Sequence, residues 1–370
     1  MKQIAAHLWF DKEAEEAARF YVSAFPGSRI TSHSVLHGVP TPTGDCDVLS
    51  FELQGQPFMA INAGPLFKFN PSISFILNFD PSREKDAREK LDALWGKLSQ
   101  GGQPLMPLGS YPFSERYGWI QDRFGLSWQL ILSDPTGEER PPIVPSLMFT
   151  GKVAGRAEEA VEFYLSVFKG SRRGIVARYG KEQAPEKEGS IMFTDFALGG
   201  QWFAAMDSAR EHAFAFNEAI SLLITCETQK DIDYYWKRLS ADPKAEQCGW
   251  LKDKFGVSWQ VTPTAMAKMM EKGTPEQMAR VTKAFLPMKK FDLAVLQKAF
   301  EGGPPVKAAG RRRAASRPSK SAGRRKAASR SSKAAGRRRA VSRPSKAAGR
   351  RRAVSRPSKG RRRAASRRKR

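Results

Sequence analysis

The chain has 370 residues and a formal charge of +26, from 63 Lys and Arg against 37 Asp and Glu. Residues 307–370 hold 28 of those cations and no acid, whereas residues 1–306 hold 35 basic and 37 acidic residues. This excludes a uniformly basic protein and describes a near-neutral body, long enough for two domains, with one cationic appendage.

In chain order, "HLWF" reads as a short apolar strand. "DKEAEEAARFYVSAF" sets Ala14, Ala17, Ala18, Tyr21, Val22 and Phe25 at helical spacing, and Pro26–Gly27 ends the run. "DVLSFELQG" alternates and turns at Gly55, and "PFMAIN" is the next strand. The pattern then restarts with strand "SISFILNF", helix "REKDAREKLDALWGKLS", a turn at Gly101–Gly102, and strands "GWIQD" and "LSWQLIL". Those last two read as a hairpin whose glycine, Gly125, permits the tight turn. Trp119 and Trp128 each put a large aromatic on a sheet face, and Trp119 is expected in the core.

The second half writes the same blocks again, in the same order. "AEEAARFYVSAFPGSR" returns as "AEEAVEFYLSVFKGSR", and "SFELQGQPFMAIN" as "DFALGGQWFAAMD". "FNPSISFIL" returns as "FNEAISLLI", "ALWGKLS" as "YYWKRLS", and "YGWIQDRFGLSWQL" as "CGWLKDKFGVSWQV" with its turn glycine Gly256. Ordered recurrence of this kind marks a domain duplication. The expected units are 1–140, 141–302 with additional C-terminal helices, and a tail over 303–370. One difference stands out: "PLMPLGSYPFSERYGW" in the first copy faces only "PKAEQCGW" in the second. It is read as an extra loop that alters access or partner contacts.

Several classes of chemistry are disfavoured. Cys46, Cys226 and Cys248 are widely spaced with no CxxC pair, which disfavours a disulfide framework and excludes a zinc finger. The N-terminal "MKQIAAHLWFDKEAEEAARF" lacks the apolar core of a signal peptide, and no run of about 18 apolar residues suits a membrane span. A cytosolic location is expected. The four histidines, His7, His33, His37 and His212, are few for acid–base work, and the Glu15–Glu16 pair falls on a solvent-facing helix surface.

"FKFNPSISF", "CGWLKDKFGVSWQV" and "MKKFDLAVLQKAFEG" resemble the PhnB-like family of the vicinal oxygen chelate superfamily, the fold of glyoxalase I and the bleomycin-resistance proteins. The resemblance runs over residues 1 to about 302, twice. It implies an α+β fold in which each copy comprises two βαβββ modules that curl into a cup. In glyoxalase-type relatives a divalent metal sits in the cup, held from the first and last strands. By that resemblance His7, thirteen residues before Phe20, falls at the first-strand position, Gln129 at the last-strand position, and Ser74 opens the second module. Ser146, Ser221 and Gln260 are the counterparts in the second copy. Counted copy by copy, these donors are few for a divalent cation and include no carboxylate. No metal is therefore expected, with His7 and Gln129 the pair to watch. The family is often described as 3-demethylubiquinone-9 3-methyltransferase, yet no GxGxG turn follows any strand to approach S-adenosylmethionine. What remains is an aromatic-lined cup suited to a small molecule. Phe58, Phe67, Phe69 and Trp128 are its candidates in the first copy, and Phe203, Phe214, Phe216 and Trp259 in the second.

From Lys307 the chain repeats with a period of thirteen, as in "KAAGRRRAASRPS". A segment without aromatics and this cationic cannot bury a core, and is expected to be disordered when free. Its arginine clusters, Arg311–Arg312–Arg313, Arg324–Arg325, Arg337–Arg338–Arg339, Arg350–Arg351–Arg352 and Arg361–Arg362–Arg363, suit phosphate through their forked donors. Nucleic acid, DNA foremost, is the expected partner, bound without sequence preference and with a nucleoid location. Ser316, Ser342 and Ser355 each follow an arginine by three residues and are candidate phosphorylation sites. The leading expectation is a small-molecule-binding protein tethered to nucleic acid, monomeric through pairing of its own two copies. The alternatives are a metal-dependent glyoxalase or dioxygenase-type enzyme and a nucleoid structural protein.

Overall fold

A computed structural model describes residues 4–133 and 137–302. The tail, with the arginine clusters and serines named above, lies outside the described residues. The first copy runs β1 (Ala5–Phe10), α1 (Ala14–Ala24), β2 (Arg29–His37), β3 (Asp45–Leu53), β4 (Gln56–Asn62), β5 (Ile73–Phe79), α2 (Ala87–Leu98), β6 (Gln103–Tyr111), β7 (Ser114–Gln121) and β8 (Ser127–Leu132). The second runs β9 (Ile143–Phe149), α3 (Ala157–Val167), β10 (Arg172–Arg178), β11 (Ile191–Leu198), β12 (Gln201–Asp207), β13 (Ile220–Cys226), α4 (Gln229–Leu239), β14 (Trp250–Lys252) and β15 (Ser258–Pro263). Three further helices follow: α5 (Thr264–Lys272), α6 (Pro275–Phe285) and α7 (Leu293–Glu301).

The two copies are interleaved. A seven-stranded sheet has the order β14-β15-β13-β1-β4-β3-β2, and an eight-stranded sheet the order β10-β11-β12-β9-β5-β8-β7-β6. Each sheet thus takes one module from each copy. The seams are antiparallel pairs, β1 with β13 and β5 with β9. Within a copy, the two modules instead share the main core, on the helix-covered faces of the sheets. Helix α1 buries Ala14, Ala17, Ala18, Tyr21 and Ala24 there, the face its spacing predicts.

The repeated hairpin segment clamps this core. Asp122, in the β7–β8 turn, accepts hydrogen bonds from the backbone of Phe124 (2.9 Å) and Leu126 (3.0 Å), from Trp128 Nε1 (2.8 Å) and from the Tyr21 hydroxyl (2.8 Å). Asp253 repeats the arrangement with Phe255 (2.9 Å), Val257 (3.1 Å), Trp259 Nε1 (2.9 Å) and Tyr164 (2.7 Å). Each aspartate therefore ties a turn, a strand tryptophan and a helix of the other module together. Burial raises both carboxyls above the ordinary aspartate range, outweighing the four donors that pull the other way. A second repeated device caps the helices. Neither α1 nor α3 has a side-chain N-cap of its own. Asn62 Oδ1 instead accepts from Ala14 N (2.8 Å) and Asp207 Oδ1 from Ala157 N (3.0 Å).

The "PLMPLGSYPFSERYGW" stretch, expected as a loop, is the β6–β7 hairpin, and β6 is the edge strand of the eight-stranded sheet. Prolines and glycines shift its register without ending it. Among the described residues, the seven-stranded sheet has no such strand. There the chain beyond α6 fills the place: Met288 O accepts from Cys248 N (2.8 Å) and Lys289 O from Gly249 N (2.7 Å). Helices α5–α7 form their own apolar cluster, which takes in Leu36 of β2 as well as Cys248 beside β14. One helical cluster reaching both edge strands requires the sheet to curl into a cup. Gly249 marks the closest approach, since a Cβ there would lie 2.4 Å from Phe291 at a backbone φ of +85°. Gly249→Ala is expected to cost about 3 kcal/mol. Gly256→Ala, at φ +86° in open space, is expected to cost only about 1 kcal/mol. Equal denaturant midpoints for the two variants would contradict this packing.

Candidate ligand cups

Side chains alternate across a strand, so the face opposite the core belongs to the cup. In the seven-stranded cup, β1 contributes His7 and Trp9 while Ala6, Leu8 and Phe10 enter the core. Register sets His7 against Ser221 on one side and Met59 on the other. Gln260 Nε2 donates to Ser221 Oγ (2.9 Å), and Trp250 pairs with Gln260 across β14–β15. Trp250 meets the His7 ring edge-on at 5.2 Å and Trp9 at 6.0 Å, and Trp9 meets Phe67 at 5.0 Å. Trp9, Met59, Ile61 and Trp250 remain half-buried, the first three within β1 and β4 and Trp250 at the start of the edge strand β14. No packed core covers them. His7 itself is 3% exposed, and its Nδ1 makes no hydrogen bond to another residue. Burial holds its pKa down to about 3, so the imidazole is neutral at pH 7.

The eight-stranded cup has the same plan and a different filling. Ser146 of β9 stands where His7 stands in β1, and pairs with Ser74. Gln129 Nε2 donates to Ser74 Oγ (2.8 Å), and the Tyr117 hydroxyl donates to Gln129 Oε1 (2.7 Å). Ile76, Val144, Ala197, Trp202 and Ala204 close up as an apolar cluster of their own. Arg140, from the segment linking the copies, lies 3.8 Å over the Trp202 ring and pairs with the buried Asp195 at 2.6 Å. Ser146 Oγ is without a partner, like His7 Nδ1.

The polar candidates therefore converge, but across copies. His7 joins Ser221 and Gln260, while Ser146 joins Ser74 and Gln129. The copy-by-copy grouping of His7 with Ser74 and Gln129 does not form, because the sheets exchange modules. Most of the aromatic candidates go elsewhere. Phe58, Trp128, Phe203 and Trp259 are fully buried in the main core, on the opposite face from Gln129 and Gln260. Phe69 and Phe216 pack against that core from its edge, beside Phe10 and Phe149, and Phe214 neighbours His212. Phe67 and Phe69 also line, with Trp9, a pocket of about 410 Å3. The cup aromatics that sequence reasoning missed are Trp9 and Trp250 in the seven-stranded cup, and Tyr117, Trp119 and Trp202 in the eight-stranded one. Trp119 lies opposite Gln129 in the β7–β8 register, with its Nε1 donating to Ser127 Oγ (2.7 Å).

The donor sets do not fit a resident divalent metal. One cup offers an imidazole, an amide and a hydroxyl, and the other an amide and three hydroxyls, those of Ser74, Ser146 and Tyr117. His7 and Gln129 lie on different sheets. Among the described residues no cluster of three His, Cys, Asp or Glu is placed to hold an ion. Such cations bind sites with a carboxylate or several imidazoles, which neither set of donors provides.

Paired modules in a curled sheet, with polar groups facing inward from first and last strands, define the vicinal oxygen chelate fold. Residues 2–131 and 141–262 both match the family described as 3-demethylubiquinone-9 3-methyltransferase, and the chain belongs to that family. The PhnB protein from Bacillus cereus is 38% identical over 36% of this chain and 100% of its own, with a TM-score of 0.32. Glyoxalase I from Zea mays is 10% identical over 73% of this chain and 95% of its own, with a TM-score of 0.46. No curated protein matches the chain. Among the described residues, no helix is long and apolar enough to cross a membrane.

Proposed function

We propose that the chain is a small-molecule-binding protein of the vicinal oxygen chelate fold, that the seven-stranded cup is its ligand site, and that the basic tail tethers it to nucleic acid. The observation that carries the cup reading is the half-buried Trp9, Met59, Ile61 and Trp250 around a buried His7 whose Nδ1 is unpaired. An unpaired buried polar atom costs roughly 1–3 kcal/mol, and a ligand that bonds it while covering the indoles removes both deficits. The eight-stranded cup is closed by its own packing. Its Tyr117 corresponds to Cys248 in the second copy, so the phenol that fills one cup is missing from the other. The interleaved sheets favour a monomer in which the copies pair within one chain.

The tail reading rests on 28 cations without an acid. Duplex DNA binding by the full chain, across a salt series, tests it against a chain ending at Gly302. If about ten cations meet phosphates, the log–log slope is near −9 for the full chain. Equal binding by both chains, or by neither, would overturn the tether. Retention of small-molecule binding by the shorter chain separates this reading from a purely nucleoid-structural one.

A further inference from the structure

We infer that the seven-stranded cup takes an uncharged, planar aromatic ring bearing one hydrogen-bonding group, set against Trp9 and Trp250 with that group on His7 Nδ1. This rests on the reading of that cup as the ligand site. Three observations select the class. The available walls are indoles and the side chains of Met59 and Ile61, surfaces that a flat ring covers with little loss of conformational freedom. The polar groups on the cup face, His7, Ser221 and Gln260, are all uncharged, the imidazole included. A charged ring would surrender its hydration with no opposite charge to receive it. The next cup-facing residue of β14, Lys252, is already paired with Glu218 at 2.7 Å. Water on Nδ1 would satisfy the nitrogen but leave the indoles half uncovered. The main rival is an ammonium ligand, which indole faces attract. An ammonium would also need a counter-charge, and neither the walls nor the polar groups around His7 include a carboxylate to supply it, Glu218 being paired with Lys252.

The test is calorimetric titration of the full chain with four probes of one shape: 4-methylphenol, 4-methylbenzoate, 4-methylbenzylammonium and 4-methylcyclohexanol. The phenol is expected to bind at least tenfold tighter than the other three. Trp250→Ala and His7→Leu are each expected to weaken it tenfold or more, and Trp250→Phe to leave it within threefold. Thermal melts show which variants remain folded, and the Trp250→Phe and Trp250→Ala comparison stands if His7→Leu does not. Benzoate or ammonium binding as well as the phenol overturns the uncharged class, and cyclohexanol doing so overturns the planar one. In those cases sensitivity to Trp250→Ala leaves the cup reading standing. Phenol binding indifferent to both substitutions overturns the cup itself. No binding by any probe overturns the ligand class.

Discussion

Asp253→Ala lowers the free energy of unfolding by about 5 kcal/mol, the largest effect expected of a single substitution in this chain. The carboxylate receives four hydrogen bonds, from two turn amides, the Trp259 indole and the Tyr164 hydroxyl. All four donors are buried, and alanine leaves each unmatched. Asp253→Asn keeps one oxygen for two of the donors but turns an NH2 toward the others, so a loss of about 3 kcal/mol is expected. Asp122→Ala behaves alike, because Asp122 holds the same four kinds of partner. Urea unfolding curves measure both. A loss below about 1 kcal/mol for Asp253→Ala would mean that the clamp contributes nothing beyond an ordinary contact.

Acid is expected to destabilise the fold through His7. Its folded pKa is near 3, against 6.5 for the ordinary side chain. Between those values the unfolded chain binds a proton at this site and the folded chain does not. Stability is therefore full above pH 6.5, falls as pH drops, and levels off below about 3. The whole interval amounts to about 5 kcal/mol, and the stretch from pH 7 to 4.5 to about 3 kcal/mol. Other groups also respond to acid, including Asp122 and Asp253, whose carboxyls are raised by burial and whose effect has the opposite sign. Comparing the wild type with His7→Phe at both pH values cancels them. The variant is expected to lose about 3 kcal/mol less on acidification. Equal losses would place the imidazole in solvent.

The duplication was legible because whole blocks recur in order, and the helices because their apolar spacing is regular. The exchange of modules was not. Local patterns mark β1 and β13 as strands, but which strand pairs with which depends on the closed cups as wholes. Strand β2 escaped notice because as an exposed edge it carries polar residues on both faces, and β6 because Pro104, Pro107 and Gly109 interrupt it. The choice of tryptophan could have been made from sequence. With Gln129 facing a cup, alternation sends its neighbour Trp128 to the other face. Trp119, across the hairpin, shares the face of Gln129, just as Trp250 shares that of Gln260. Likewise the contrast between "YGW" and "CGW" marks one of the positions where the two cups differ in filling. What no local pattern could reveal is that the helices at the end of the chain complete the cup that its first strand enters.

The most direct test of the central claim is to follow the indole N–H signals of the full chain by NMR during titration with small-molecule mixtures. Compounds that bind are expected to shift Trp9 and Trp250 together and to leave Trp119 and Trp202 in place. Shifts confined to Trp119 and Trp202 would contradict that claim and move the ligand site to the eight-stranded cup.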